Sequence, residues 1–204
     1  MKQTVTINLF RHGQTSGNLK KRYIGVTDES LCWDGVQQLL DRNYPRSEVW
    51  FYSPMKRCVE TAELMGMQLE DTQIAVRNFR ECDFGLFENK NYEELADCPE
   101  YQEWVDSNAT LPFPDGDAVE DFKARCCRAF EDMMNRIFRE NWKNVNVVVH
   151  GGTIMSIMEK YANENRDYYQ WHVENGCGYI LEVEEELWRE QKKIKGYTAL
   201  VYEE

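Results

Sequence analysis

Three short apolar runs in this chain each break off into a polar cluster, and helical patterning follows. Val5, Ile7 and Leu9 alternate with Thr4, Thr6 and Asn8, the period-two pattern of a strand, which ends at Phe10 just before Arg11-His12-Gly13. Residues 49–52 (VWFY) give way to Ser53-Pro54 and then Arg57. Residues 145–149 run into His150-Gly151-Gly152 and an apolar helix through Tyr161. Repeated strand–loop–helix units bury a sheet between helices, and the crossovers make its strands parallel. The alternation therefore predicts an α/β fold: a three-layer α/β/α sandwich with a mostly parallel central sheet.

The punctuation refines this reading. Ser53 is placed to cap a helix, Pro54 to occupy its first position and Gly66 to end it. Tyr92, Leu95 and Ala96, then Tyr101, Trp104 and Val105, recur at helical spacing on either side of Pro99. A longer stripe runs through Val119, Phe122, Cys126, Phe130, Met133, Met134 and Ile137, with Asp117 and Glu120 as a capping box. Its Met and Cys residues read as core. Stretches 178–184 and 195–202 read as strands at the sheet edges, and Glu184 to Glu186 as a solvated acidic turn. No repeat or low-complexity linker divides the 204 residues, so a single domain over 1–204 is expected.

Composition narrows the partners. Hydrophobic residues at 42% and charged residues at 29% supply a substantial core and argue against disorder. A net charge of −12 excludes a generally basic surface and with it bulk nucleic-acid binding. It leaves room for a small anionic substrate, because a few arginines make a pocket positive inside a negative molecule. No apolar run approaches the ~18 residues of a membrane span, so no membrane partner is expected. The N-terminal alternation is that of a strand, without the apolar core of a signal peptide. Seven cysteines without a C-x-x-C pair read as free thiols in a reducing, cytoplasmic setting. The three histidines have no second ligand at metal-binding spacing, so neither a metal nor a cofactor is expected.

Ligands of open α/β sheets bind outside the carboxyl ends of the strands. Three such ends bring Arg11, His12, Arg57 and His150 toward one another, and two of the three histidines fall there. Each cluster alone has an ordinary structural reading; their joint occurrence favours a site. His172, in Trp171-His172-Val173-Glu174-Asn175, belongs to no motif and reads as structural.

Leu9-Phe10-Arg11-His12-Gly13-Gln14-Thr15 with Asn18 resembles the signature of the histidine phosphatase superfamily, the phosphoglycerate mutase-like family. Tyr23-Ile24-Gly25-Val26-Thr27-Asp28, Ser53-Pro54-Met55-Lys56-Arg57, Arg80-Glu81-Cys82-Asp83-Phe84-Gly85 and Val149-His150-Gly151-Gly152 resemble its later motifs in order. The resemblance spans residues 5 to 155 and implies a phosphoglycerate mutase-like fold. It also implies roles that fit phosphoryl transfer. Neutral His12 is the nucleophile, Arg11 and Arg57 are forked phosphate donors, and a protonated His150 adds charge. Glu81 protonates the leaving oxygen. Asn18, Thr15, the backbone of Gly151, Arg22 and Tyr23 bind phosphate or substrate.

The mutase branch carries a longer insertion after the acid motif, and no stretch here resembles it, so a phosphatase is the preferred reading. Arg22 to Asp28, Asp83-Phe84-Gly85 with Glu88 and Tyr92 to Leu95, and Pro114 to Asp117 with Phe122 and Arg125, most resemble α-ribazole phosphatases. The resemblance thus implies a phosphomonoesterase acting on a small phosphorylated substrate such as α-ribazole phosphate. Asn89 and Asp117-Ala118 depart from the pattern, in the segment at about 86–117 expected to cover the substrate. Phe87, Tyr92, Tyr101, Trp104 and Phe113 are candidate lid residues, with helix packing the stronger reading for Tyr101 and Trp104. Phosphoglycerate mutase-type transfer and a non-catalytic binding protein on the same fold are the alternatives. The oligomeric state is not legible.

Overall fold

The computed structural model describes residues 3–202. Six strands form one sheet: β1 (Thr4–Arg11), β2 (Val49–Tyr52), β3 (Thr72–Ala75), β4 (Asn144–Val149), β5 (Gly178–Glu184) and β6 (Gly196–Leu200). Their order is β3-β2-β4-β1-β5-β6. The first four in that order are parallel, and β5 runs antiparallel to both of its neighbours. The helices are α1 (Ser16–Leu19), α2 (Trp33–Leu40), α3 (Lys56–Leu64), α4 (Pro99–Asp106), α5 (Val119–Glu140), α6 (Gly151–Tyr161) and α7 (Glu185–Gln191).

Strand alternation assigns the two faces. Val5, Ile7 and Leu9 of β1, with Val145, Val147 and Val149 of β4, pack against the buried stripes of α5 and α6. Phe10, Trp50 and Val148 face the opposite way, onto Leu39 of α2 and Cys58 and Ala62 of α3. This is the expected three-layer sandwich. A third apolar cluster, including Cys82, Phe87, Leu95, Tyr101, Trp104 and Phe113, fastens the segment after Glu81 onto Phe122 and Cys126 at the start of α5.

Several local expectations are corrected. α3 begins at Lys56 with Met55 as a cap that makes no side-chain bond, so Ser53 is not the cap and Pro54 lies before the helix. Ala118 is the cap residue of α5, without a side-chain bond; Asp117 instead accepts from the Asp83 N–H at 3.1 Å. Residues 92–97 form turns rather than a helix, and Pro99 opens α4. β5 is an interior strand paired on both sides, and only β6 lies at that edge. The acids at 185 and 186 start α7 instead of forming a turn. All seven cysteines are free. Among the described residues no helix is long and apolar enough to cross a membrane.

Candidate active site

β1 and β4 are adjacent and parallel, so their carboxyl ends deliver His12 and His150 side by side. The ring centroids lie 5.2 Å apart, with the planes inclined at 67°. The His12 N–H donates to the Val149 carbonyl at 2.9 Å, and the Gly13 N–H donates to Thr61 of α3 at 2.8 Å, so the turn is pinned on both sides. His12 Nδ1 lies 2.7 Å from the Gly13 carbonyl oxygen. A carbonyl only accepts, so Nδ1 carries the proton of the neutral ring and Nε2 keeps its lone pair. Burial, followed by the charges of Arg57 and Arg11, holds the His12 pKa well below the ordinary histidine range.

Arg57, in the first turn of α3, is fully buried. Its guanidinium donates to backbone carbonyls, Thr27 at 2.8 Å and Gly25 at 3.0 Å. Carbonyls orient the fork without cancelling its charge. Arg11 donates to the Val173 carbonyl at 2.8 Å and lies 3.1 Å from His172 Nε2. The Nε atoms of both arginines are buried without a hydrogen-bond partner. Unpaired buried donors are rare in folded proteins and point to a missing acceptor.

His150 is fully buried, with Nε2 2.8 Å from the Ser53 hydroxyl. Burial and then Arg57 hold its pKa well below the usual range. Both influences disfavour the charged ring while no anion is bound, whereas the protonated His150 read from the sequence belongs to the phosphate-bound step. A positive His150 requires an incoming anion to offset Arg11 and Arg57.

Glu81 follows a 3₁₀ turn and reaches the amino end of α6. It accepts from the Cys82 N–H at 3.0 Å and the Gly152 N–H at 3.3 Å. Gly152 is needed here, since a Cβ would sit 2.5 Å from Glu81 Oε1. The protein packed around its carboxyl raises its pKa, against the opposing pull of the Cys82 N–H, Arg57, the Gly152 N–H and Arg11.

The remaining predicted residues divide. Asn18 Oδ1 accepts from the Thr15 N–H at 3.2 Å and from Asn175 at 3.2 Å, which leaves its amide N–H groups for a ligand. Thr15 caps α1. Arg22 forks onto Glu94, with Nε 2.9 Å from Oε2, and so ties its loop to the covering segment. Gly151 opens α6 beside Arg11, whose Nε would lie 3.5 Å from an added Cβ.

Two cavities meet at Glu81. One, of about 240 Å³, is lined by Arg11, Glu81, Gly151 and Gly152 and otherwise mostly by aromatic side chains, Tyr23 among them. The other, of about 160 Å³, is polar, with Arg80, Asp83, Asp117 and Arg125 on its wall.

A family model described as "Histidine phosphatase superfamily (branch 1)" matches residues 7–194. The chain belongs to this superfamily. Members of the histidine phosphatase superfamily are phosphatases and mutases. The chain is 26% identical over 194 residues to a Bacillus subtilis (strain 168) protein named "Uncharacterized phosphatase PhoE", covering 93% of this chain and 92% of that one. It is also 26% identical to "Broad-specificity phosphatase YOR283W" of Saccharomyces cerevisiae, over 87% of this chain and 79% of that protein. In structure it resembles a putative alpha-ribazole-5'-P phosphatase from Escherichia coli, with a TM-score of 0.78, 20% identity and coverage of 97% and 96%.

Within this histidine phosphatase fold, sequence reasoning missed several contributors. His172 reads as structural in the sequence, yet it stands against Arg11 at the cavity wall. Asn175 donates to the His12 carbonyl at 2.9 Å as well as to Asn18. Glu88 accepts from the N–H groups of Gly25 and Thr27 at 2.8 and 2.9 Å, which braces the loop whose carbonyls hold Arg57. The strand-end rule reaches neither Asn175 nor His172, because both arrive from the loop before β5.

Proposed function

We propose that the protein is a metal-independent phosphomonoesterase that hydrolyses a small phosphorylated metabolite through a phosphohistidine on His12. One observation carries the reading: a buried histidine whose Nδ1 faces a carbonyl, and so keeps its Nε2 lone pair, lies in the field of two arginines that each keep a buried, unpartnered Nε–H. That is a nucleophile inside an anion site with donors to spare.

His12 Nε2 attacks phosphorus, and the P–N bond forms as the ester P–O bond breaks. Arg11 and Arg57 donate to the equatorial oxygens, where charge is spread in the transition state. Glu81, whose pKa is raised by burial, gives its proton to the departing alkoxide. Water then attacks phosphorus and yields its proton to the Glu81 carboxylate. The P–N bond breaks, inorganic phosphate leaves and His12 returns neutral. The dianion favours a protonated His150 only while it is bound. With this much positive charge already in place, the residues require no metal. The segment at about 86–117 serves as the substrate cover, and α-ribazole phosphate is the first ester to assay.

His12→Ala tests the reading. With a labelled phosphate ester, the wild type should trap an acid-labile, base-stable phosphoenzyme, release label as inorganic phosphate and keep its activity in chelator. His12→Ala should lose both label and turnover. An acid-stable phosphoprotein would overturn the nucleophile. Dependence on a bisphosphorylated primer, with label retained on product, would make the enzyme a mutase.

A further inference from the structure

The 240 Å³ cavity beside Glu81 and Arg11 is built differently from the phosphoryl site it adjoins. Tyr23, Phe84, Trp104, Phe113, Phe122 and Tyr168 supply aromatic walls. These rings are already locked together: Phe84 and Phe113 meet edge-on at 5.0 Å, and Trp104 stacks on Phe113 at 5.1 Å. The Tyr168 hydroxyl donates to the Gly152 carbonyl at 3.1 Å, so its polar tip is engaged.

The charged and titratable side chains matter as much by their commitments. Arg11 and Glu81 belong to the phosphoryl chemistry proposed above, and His172 is held against Arg11. The cations just outside are also committed. Lys123 lies over the Tyr168 ring and pairs with Glu159 at 2.8 Å. Arg125 lies over Phe122 and donates to the carbonyls of Arg80 and Glu81, at 2.8 and 3.2 Å. Arg11 is the one cation among the lining residues, so the wall itself holds no second cation for a carboxylate or further phosphate on the substrate.

We propose that this cavity receives the leaving group, and that the leaving group is a flat, uncharged ring system of one or two rings. The inference rests on the phosphomonoesterase reading. The size limit follows from the volume, which falls below the roughly 300–1,000 Å³ of pockets for drug-sized ligands. Apolar burial between aromatic faces then supplies the affinity, and the phosphate supplies the anchor.

The test uses the full chain and esters of alcohols, so that leaving-group reactivity stays comparable. Naphthylmethyl phosphate is compared with glycerol phosphate and 3-phosphoglycerate by kcat/KM. Non-hydrolysable naphthylmethylphosphonate is compared with methylphosphonate by calorimetric binding. The aromatic member of each series should be favoured by about tenfold or more, the scale of one well-buried apolar group. Tyr169→Ala, on the exposed rim of the cavity, should narrow the preference for the naphthylmethyl ester. Turnover of all esters with equal efficiency, and equal binding of both phosphonates, would overturn the cavity assignment and leave the phosphatase standing. Selective binding of the aromatic phosphonate without turnover of any ester would uphold the cavity and overturn the phosphatase.

Discussion

A carboxyl that must deliver a proton at neutral pH has first to be kept from losing it. For Glu81, the proposed acid, the protein packed around it raises the pKa and outweighs the N–H groups and arginines that favour its charged form. The same burial acts in the opposite sense on His12, the proposed nucleophile, and lowers its pKa. The signs fix the pH profile. Activity requires protonated Glu81, so it falls as pH rises through a pKa above the ordinary ~4.3 for glutamate; it requires neutral His12, so the acid limb lies below the ordinary ~6.5 for histidine. Glu81→Gln should remove the alkaline limb and lower turnover on alkyl phosphates by about 10²-fold or more. Single-turnover phosphorylation by p-nitrophenyl phosphate should suffer much less, because that leaving group departs without a proton. Equal losses on both substrates would pass the acid role to Asp83 or Glu88. His12, Arg57 and His150 were legible because strand ends advertise a site. The lowered pKa of His150 was not, since it depends on burial that only the assembled layers create.

At the scale of elements, tertiary demands overrode local signals twice. Ser53 before Pro54 is a strong helix-start pattern, yet its hydroxyl pairs with His150. Losing a cap costs about 1 kcal/mol, whereas leaving a buried polar group unpartnered costs roughly 1–3 kcal/mol, so the imidazole wins. Asp117 is drawn away from capping in the same manner, by the Asp83 N–H and by Arg125 at 3.3 Å. The acids at 185 and 186 resemble a solvated turn in sequence, but negative charge is also favoured at a helix amino end, and α7 uses it. The loop from Ile24 to Thr27 packs closely against the segment that follows Glu81. A Cβ on Gly25 would lie 1.9 Å from the Cys82 carbonyl oxygen, backbone against backbone. Gly25→Ala should therefore push this loop off the segment bearing Glu81. The expected cost is about 1–3 kcal/mol of stability, with a fall in kcat larger than the change in KM. Thermal unfolding and steady-state kinetics measure both, and an unchanged kcat would show that the two segments move independently.

For the whole molecule, the alternating strands announced the layers and the parallel core, but the edges depended on pairings between distant segments. β5 reads as a border strand from its sequence and sits between β1 and β6 because the chain returns from Gly178 antiparallel to β1. The layers also set the response to acid. His12 and His150 are buried with pKa values lowered by desolvation and neighbouring cations, so the unfolded chain takes up protons that the folded one refuses. Stability contributed this way is present above about pH 6.5 and is lost as pH falls toward the folded pKa values, at up to about 1.4 kcal/mol per pH unit for each ring. Glu81 opposes them with a single proton, because its raised pKa adds stability toward acid. Denaturant melts between about pH 7.5 and about pH 5.5 should show falling stability, and His150→Asn should flatten the trend. A wild-type profile without slope would refute the account.

The carbonyl grip on Arg57 has a consequence for how such a sequence can drift. Every residue offers the same backbone oxygen, so the side chains of Ile24 and Thr27 can be exchanged by mutation without removing the acceptors that aim the guanidinium. The count of residues cannot change so freely, since deleting one would shift every oxygen along the loop. The loop should therefore tolerate substitution far better than insertion or deletion, with Gly25 as the fixed point where spelling as well as length is constrained.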